Sequence, residues 1–217
     1  MSRPDAATER ASSGAGDAQL LEAWRSGDQE AGEALFIRHY SAVARFFRNK
    51  VPPDRVADLI QDTFIAGVEG RDRIHDADRF RAYLLTIAYR VFCKHLRQGY
   101  ADPRALDLDA SSLQDLGTSA SSVLGRAQQQ RLLLEGLRAI PINYQVVLEL
   151  HYWEELSTRE IAGVLDIPPG TVRSRLQRAR DALEAAMARL SRSPEVLEST
   201  LTRLEDWAAR CGRELAS

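Results

Sequence analysis

Nothing in the sequence leaves less conformational freedom than Leu156–Arg180, LSTREIAGVLDIPPGTVRSRLQRAR. Ser157 followed by Glu160 is a capping box: the serine hydroxyl accepts from an orphan amide of the first turn, and the glutamate reaches back to the cap. Ile161, Ala162 and Leu165 then fall on one helical face, where small Ala162 lets another helix come close. Asp166-Ile167-Pro168-Pro169-Gly170 must end that helix and open the next, because proline cannot continue a helix but suits its first turn. In the second helix Val172, Leu176, Ala179, Leu183, Met187 and Leu190 recur at helical spacing and define the buried stripe. Projection turns Ser174, Gln177, Arg178 and Asp181 outward, with Arg173, Arg175 and Arg180 beside them. The pattern is a helix-turn-helix whose second helix suits a DNA major groove. Its outward tips reach base edges and its shoulders reach phosphates.

That basic surface is local. The 217 residues carry 29 Lys+Arg against 31 Asp+Glu, a net charge of −2, so the chain does not coat nucleic acid by charge alone. Weak affinity for free DNA is expected, with a partner delivering the protein. No apolar run is long enough to cross a bilayer and the N-terminus lacks a secretory core, which predicts a cytoplasmic protein without membrane insertion. Cys93 and Cys211 lie far apart, and His39, His75, His95 and His151 lack ligand spacing, so neither a disulfide framework nor a metal site is expected. Without a phosphate-cradling glycine loop or a nucleophile elbow, the reading is of a non-enzyme with no catalytic residues and no cofactor.

No segment alternates with period two, so an all-α fold is expected. Residues 1–17 lack periodicity and read as disordered. Residues 18–98 read as a helical bundle. Its first helix carries Leu20, Leu21 and Trp24, and its second, capped by Asp28, carries Ala31, Leu35, Val43, Phe46 and Phe47. A third, capped by Asp54, carries Val56, Leu59, Ile60, Phe64 and Val68, and a fourth runs from about Ala77 to Gln98. Residues 99–125 have only scattered apolar positions, such as Leu106, Leu108 and Leu113, and read as a flexible linker whose roughly 25 residues reach on the order of 80 Å. Residues 126–190 form a second small helical domain: Arg126–Ile140, Ile142–Tyr152 and the helix-turn-helix. In 191–217, Leu197, Leu201, Leu204, Ala208, Cys211 and Leu215 form the stripe of a C-terminal helical extension, expected to dock on the second domain in preference to a regulatory contact with another protein.

Asp58-Leu59-Ile60-Gln61-Asp62-Thr63-Phe64 adds a second signal. Leu59, Ile60 and Phe64 cannot all face one small core, and Asp58, Gln61 and Asp62 crowd the other side, a pattern suited to protein docking. With Ile167-Pro168-Pro169-Gly170-Thr171-Val172-Arg173-Ser174-Arg175-Leu176 following in this order and separation, the sequence resembles the extracytoplasmic-function (ECF) sigma factors of bacterial RNA polymerase, of the sigma-70 family. The resemblance covers about Leu20–Gln98, region 2 of that family, and Arg126–Leu190, its region 4. It implies that Asp58, Leu59, Gln61, Asp62 and Phe64 dock on the β′ clamp helices of core polymerase. It further implies that Arg79, Phe80, Arg81, Tyr83, Arg90, Lys94 and Arg97 engage and open the −10 element, where rings replace base stacking and cations hold the backbone. Phe80 and Tyr83 are favoured over Phe92 for the rings. Thr171, Arg173, Ser174, Arg175, Gln177, Arg178 and Arg180 would read the −35 element, and an anti-sigma factor is an implied partner.

The sequence departs from the family in several places. Tyr83 replaces a usual tryptophan, Tyr89-Arg90 a common Arg-Asn pair, Lys94 a frequent aspartate, and Glu155 and Asp166 two glycines. These leave room for a rival: a conventional helix-turn-helix regulator with a sigma-like first domain that does not initiate transcription. An adaptor that binds polymerase without reading DNA is a third reading, opposed by the arginine-bearing helix.

Overall fold

The computed structural model describes residues 16–74, 79–99, 106–117, 128–191 and 197–198. Among them run eight α-helices and no β-strand. Asp17–Arg25 (α1), Gln29–Arg48 (α2), Pro53–Glu69 (α3) and Phe80–Gln98 (α4) form the first half. Gln128–Arg138 (α5), Ile142–Tyr152 (α6), Thr158–Leu165 (α7) and Pro169–Leu190 (α8) form the second.

Most starts and stops follow local chemistry. The Asp28 carboxylate accepts from the Ala31 amide at 3.1 Å and caps α2. In α3 the cap position falls on Pro52, with Pro53 opening the first turn, so Asp54 lies inside the helix instead of capping it. Its charge there still suits the positive end of the helix dipole. The capping box of α7 is formed: Ser157 Oγ accepts from the Glu160 amide at 3.3 Å, and Glu160 Oε2 accepts from the Ser157 amide at 2.8 Å. Asp166 ends α7 at φ 55°, the left-handed conformation that a short polar side chain tolerates. Glu155, φ 53°, adopts it without that advantage.

Asp17 opens α1 and pairs with Arg38 at 2.6 Å and His39 at 2.7 Å, so order begins inside the segment read as disordered; residues 1–15 lie outside the described residues. So do 75–78, where the fourth helix was expected to start, and 126–127, 192–196 and 199–217, which hold most of the expected tail stripe. Leu197 packs against the core.

Leu21, Leu35, Phe47, Leu84 and Phe92 are buried in the first half, and Leu133, Val146, Ile161, Val172 and Met187 in the second. Gly136 lets α5 lie close on α8, for a Cβ there would stand 2.8 Å from Met187 Cγ.

The linker departs from the expectation of a free tether. Its middle, Leu106–Gly117, lies against the second half, with Leu113 fully buried. The Ile142 amide donates to Ser111 O, and that of Asn143 to Leu108 O, each at 3.0 Å. Leu108 and Leu113, scattered in sequence, suffice to anchor so short a segment; residues 100–105 and 118–127 lie outside the described residues.

The two halves also pack on each other, α4 against α7. Lys50, just past α2, is fully buried and ion-pairs with Glu149 of α6, which also accepts from Gln145 Nε2 at 2.7 Å. Arg45 makes a two-pronged bond to Glu154, Nε to Oε1 at 2.6 Å and Nη2 to Oε2 at 3.0 Å. Arg138 Nη1 donates to Asn49 O at 2.9 Å.

Candidate nucleic-acid and protein interfaces

On α8, Val172, Leu176, Ala179, Leu183 and Met187 are buried, which turns Arg173, Ser174, Gln177 and Arg178 to solvent. Thr171 is half-buried at the start of this row. Arg175 and Arg180 are held to the flanks. Arg175 Nη2 donates to Asp109 Oδ1 at 3.0 Å, and Arg180 Nε donates to the Tyr152 hydroxyl at 2.9 Å with its guanidinium over that ring. Neither Asp109 nor Tyr152 was visible as a partner in the sequence, since both belong to other segments.

On α4, Arg90, Lys94 and Arg97 are exposed at helical spacing, and Arg79 is exposed at its start. Phe80 does not join them. It is fully buried, edge-on to Phe36 at 5.7 Å, because the first turn of α4 points its ring into the bundle; Phe92 is buried likewise. Tyr83 is half-buried beside Phe80 with its hydroxyl 3.3 Å from Gly67 O. Arg81 faces the second half, donating to Glu154 O at 2.6 Å. Tyr89 does the same, its hydroxyl donating to Asn143 Oδ1 at 3.1 Å, and burial pushes its phenol up from the ordinary value.

On α3, Leu59 turns inward with Ile60 and Thr63 and is buried, so it belongs to the core and not to the docking surface. Asp58, Gln61 and Asp62 are exposed, and Phe64 is half-buried. The exposed apolar groups are others: Ile65 and Val68 of α3, each 50% exposed, with Ile37 (67%) and Tyr40 (46%) of α2. Tyr40, Ile65 and Val68 border a groove of about 520 Å³ lined also by Ala57, Ile60, Gln61, Phe64 and Glu69. Val68, one of the apolar positions of this helix, is thus on the surface. Ile37 and Tyr40 lie off the stripe set by Leu35 and Val43, the signal that marks them as outward.

Two family models match the chain in succession, Sigma-70 region 2 over residues 35–100 and Sigma-70, region 4 over residues 130–183, together more than half its length. The ECF RNA polymerase sigma-E factors of Escherichia coli K12 and Salmonella typhimurium LT2 are each 28% identical over 177 residues, covering 77% of this chain and 92% of theirs. Among solved structures, that of CnrH in complex with the cytosolic domain of CnrY has 28% identity and a TM-score of 0.50, covering 81% of this chain and 96% of CnrH. The sigma factor RpoE of Bartonella quintana, in complex with the anti-sigma factor NepR, shares the fold with a TM-score of 0.57 at 19% identity, covering 74% and 98% of the two chains. A helical bundle and a helix-turn-helix domain that match regions 2 and 4 in this order define a promoter-recognition subunit. The chain belongs to the sigma-70 family and, within it, to the ECF sigma factors. Its partners are core RNA polymerase and promoter DNA, and the rival reading as a conventional regulator is not favoured.

Proposed function

We propose that this sigma factor grips core polymerase with the α2–α3 groove and distributes promoter reading between α4 and α8. The observation that carries the docking role is the exposed apolar groove with Gln61 and Glu69 in its wall, on a helix that also exposes Asp58 and Asp62. Phe64 contributes from the groove wall, and the β′ clamp helices are its occupant. Arg79, Arg81, Tyr83, Arg90, Lys94 and Arg97 engage the −10 element. Arg173, Ser174, Gln177 and Arg178 meet the base edges of the −35 element, while Thr171, Arg175 and Arg180 meet its backbone. The protein acts by binding, with no covalent step of its own, in the cytoplasm where polymerase and chromosome meet.

Restraint by an anti-sigma factor belongs to the same reading. Its support is CnrH, similar over most of the chain and in complex with the cytosolic domain of another protein. The −35 assignment is tested with Arg178→Ala, which leaves the buried stripe of α8 untouched. If Arg178 makes a bidentate base contact, its loss costs about 1–3 kcal/mol of upstream binding. A footprint of the holoenzyme should weaken at the −35 element alone, and unchanged protection there rejects the role.

A further inference from the structure

The C-terminal end of α3 carries two glycines, Gly67 and Gly70, and close contacts explain both. Gly70 ends the helix at φ −93°, ψ 5°, a right-handed conformation open to any residue. A Cβ there, however, would collide with the Tyr83 hydroxyl oxygen. A Cβ on Gly67 would stand 3.1 Å from Leu84 Cδ2 and 3.2 Å from Phe36 Cε1. Into the space so left, the first turn of α4 sends Tyr83. Its hydroxyl donates to Gly67 O at 3.3 Å, one of the last four carbonyls of α3, for which that helix has no amide of its own.

The same turn of α3 lays Val68 and Glu69 along the docking groove and buries Gly67. Tyr83 thus joins the helix that meets polymerase to the turn that carries Arg79 and Arg81. Its ring is poorly placed to stack a base. It is half-buried, it leans on Phe80 at 6.1 Å between ring centres, and its hydroxyl is engaged. Behind it Phe80 meets Phe36 at 5.7 Å, and Phe36 meets Phe64 of the groove wall at 5.0 Å, so the ring has a packed support.

We propose that Tyr83 is a positioning residue for promoter opening. Through its hydroxyl it fixes the first turn of α4, and with it Arg79, on the helix that polymerase grips. Its share in engaging the −10 element is then indirect, through where α4 stands and not through a base stacked on its ring. Gly70 is small so that this hydroxyl can reach its carbonyl. The inference rests on the sigma-factor reading and names the part Tyr83 plays within it.

Two substitutions reach the contact from opposite sides. Tyr83→Phe keeps the ring and deletes the donor, whereas Gly70→Ala keeps the donor and fills its place. In Gly70→Ala/Tyr83→Phe the new methyl faces the ring carbon Cζ at 3.3 Å, so the glycine change should cost little once the hydroxyl is gone. Each full-length chain is assembled with core polymerase on a genomic fragment recovered with the tagged protein from cells. Permanganate reactivity of unpaired thymines reads opening, footprinting reads −35 protection, and co-precipitation reads capture by core polymerase. Each single variant should lose about two- to tenfold in reactivity, the worth of one hydrogen bond, with −35 protection and capture at wild-type levels. The double variant should match Tyr83→Phe.

Tyr83→Phe that opens the fragment as well as wild type overturns the proposal, because the ring alone then suffices. Losses that multiply in the double variant overturn it too, as does a loss of capture in step with the loss of opening. Should Gly70→Ala fail to fold, Tyr83→Phe decides alone. Wild-type chain that opens no recovered fragment with core polymerase removes the sigma-factor reading itself, whereas equal opening by wild type and Tyr83→Phe removes only the strut.

Discussion

Lys50 and Glu149 form a buried ion pair between the two halves. Burial pushes the glutamate carboxyl up and the lysine amine down, each opposed by the other's charge. Such a pair is a poor source of net stability but a severe loss when only one partner goes, about 3–5 kcal/mol, because the survivor is left buried and uncompensated. In Lys50→Met the attraction is gone, so Glu149 is raised further on folding. A carboxyl raised on folding adds stability below its unfolded value, and that stability is lost as pH rises through the folded value. The stability of Lys50→Met relative to Lys50→Met/Glu149→Gln should therefore be highest below the ordinary glutamate value of 4.5 and fall steadily above it. Urea melts of the two variants across that range check this, and a difference that does not vary with pH contradicts it. His39, by contrast, is lowered chiefly by burial despite its Asp17 partner, and charges reluctantly in the folded chain.

Among elements, α3 separates its two duties by face. Leu59, Ile60 and Thr63 pack inward, while Asp58, Gln61, Asp62, Ile65 and Val68 stay outward. Ile65→Asp changes only the outward face, so the fold should survive while affinity for core polymerase drops about tenfold or more. Loss of one central apolar anchor at a protein interface typically costs 2 kcal/mol or above. Co-precipitation with core polymerase measures it, and undiminished capture would move the docking site elsewhere. The helices themselves were legible, because capping, proline breaks and apolar spacing act within a few residues of each other. Ser157, Glu160, Asp166 and Pro169 fix α7 and α8 with no help from the rest of the chain. Which side of a helix meets the core was less legible. Phe80 and Leu59 were misplaced because aromatic and aliphatic side chains look alike to a periodicity argument whichever way the neighbouring helices lie.

At the scale of the whole molecule, the all-α architecture and the two domains were readable, but their mutual contact was not. It depends on pairs 54 to 109 residues apart, Tyr89 with Asn143, Arg81 with Glu154 and Arg45 with Glu154 among them, and nothing local marks such side chains for a partner. The same holds for Asp109, an unremarkable acid in a polar segment that gathers Asn143 and Arg175. On the proposed reading, polymerase grips the α2–α3 groove and holds the cationic face of α4 and helix α8 at the separation of the two promoter elements. That claim is met most directly by run-off transcription with purified core polymerase, on genomic fragments recovered with the tagged protein from cells. The predicted result is a discrete transcript from those fragments only when the chain is added. Failure of the folded chain to associate with core polymerase, with no transcript at any ratio, would contradict it.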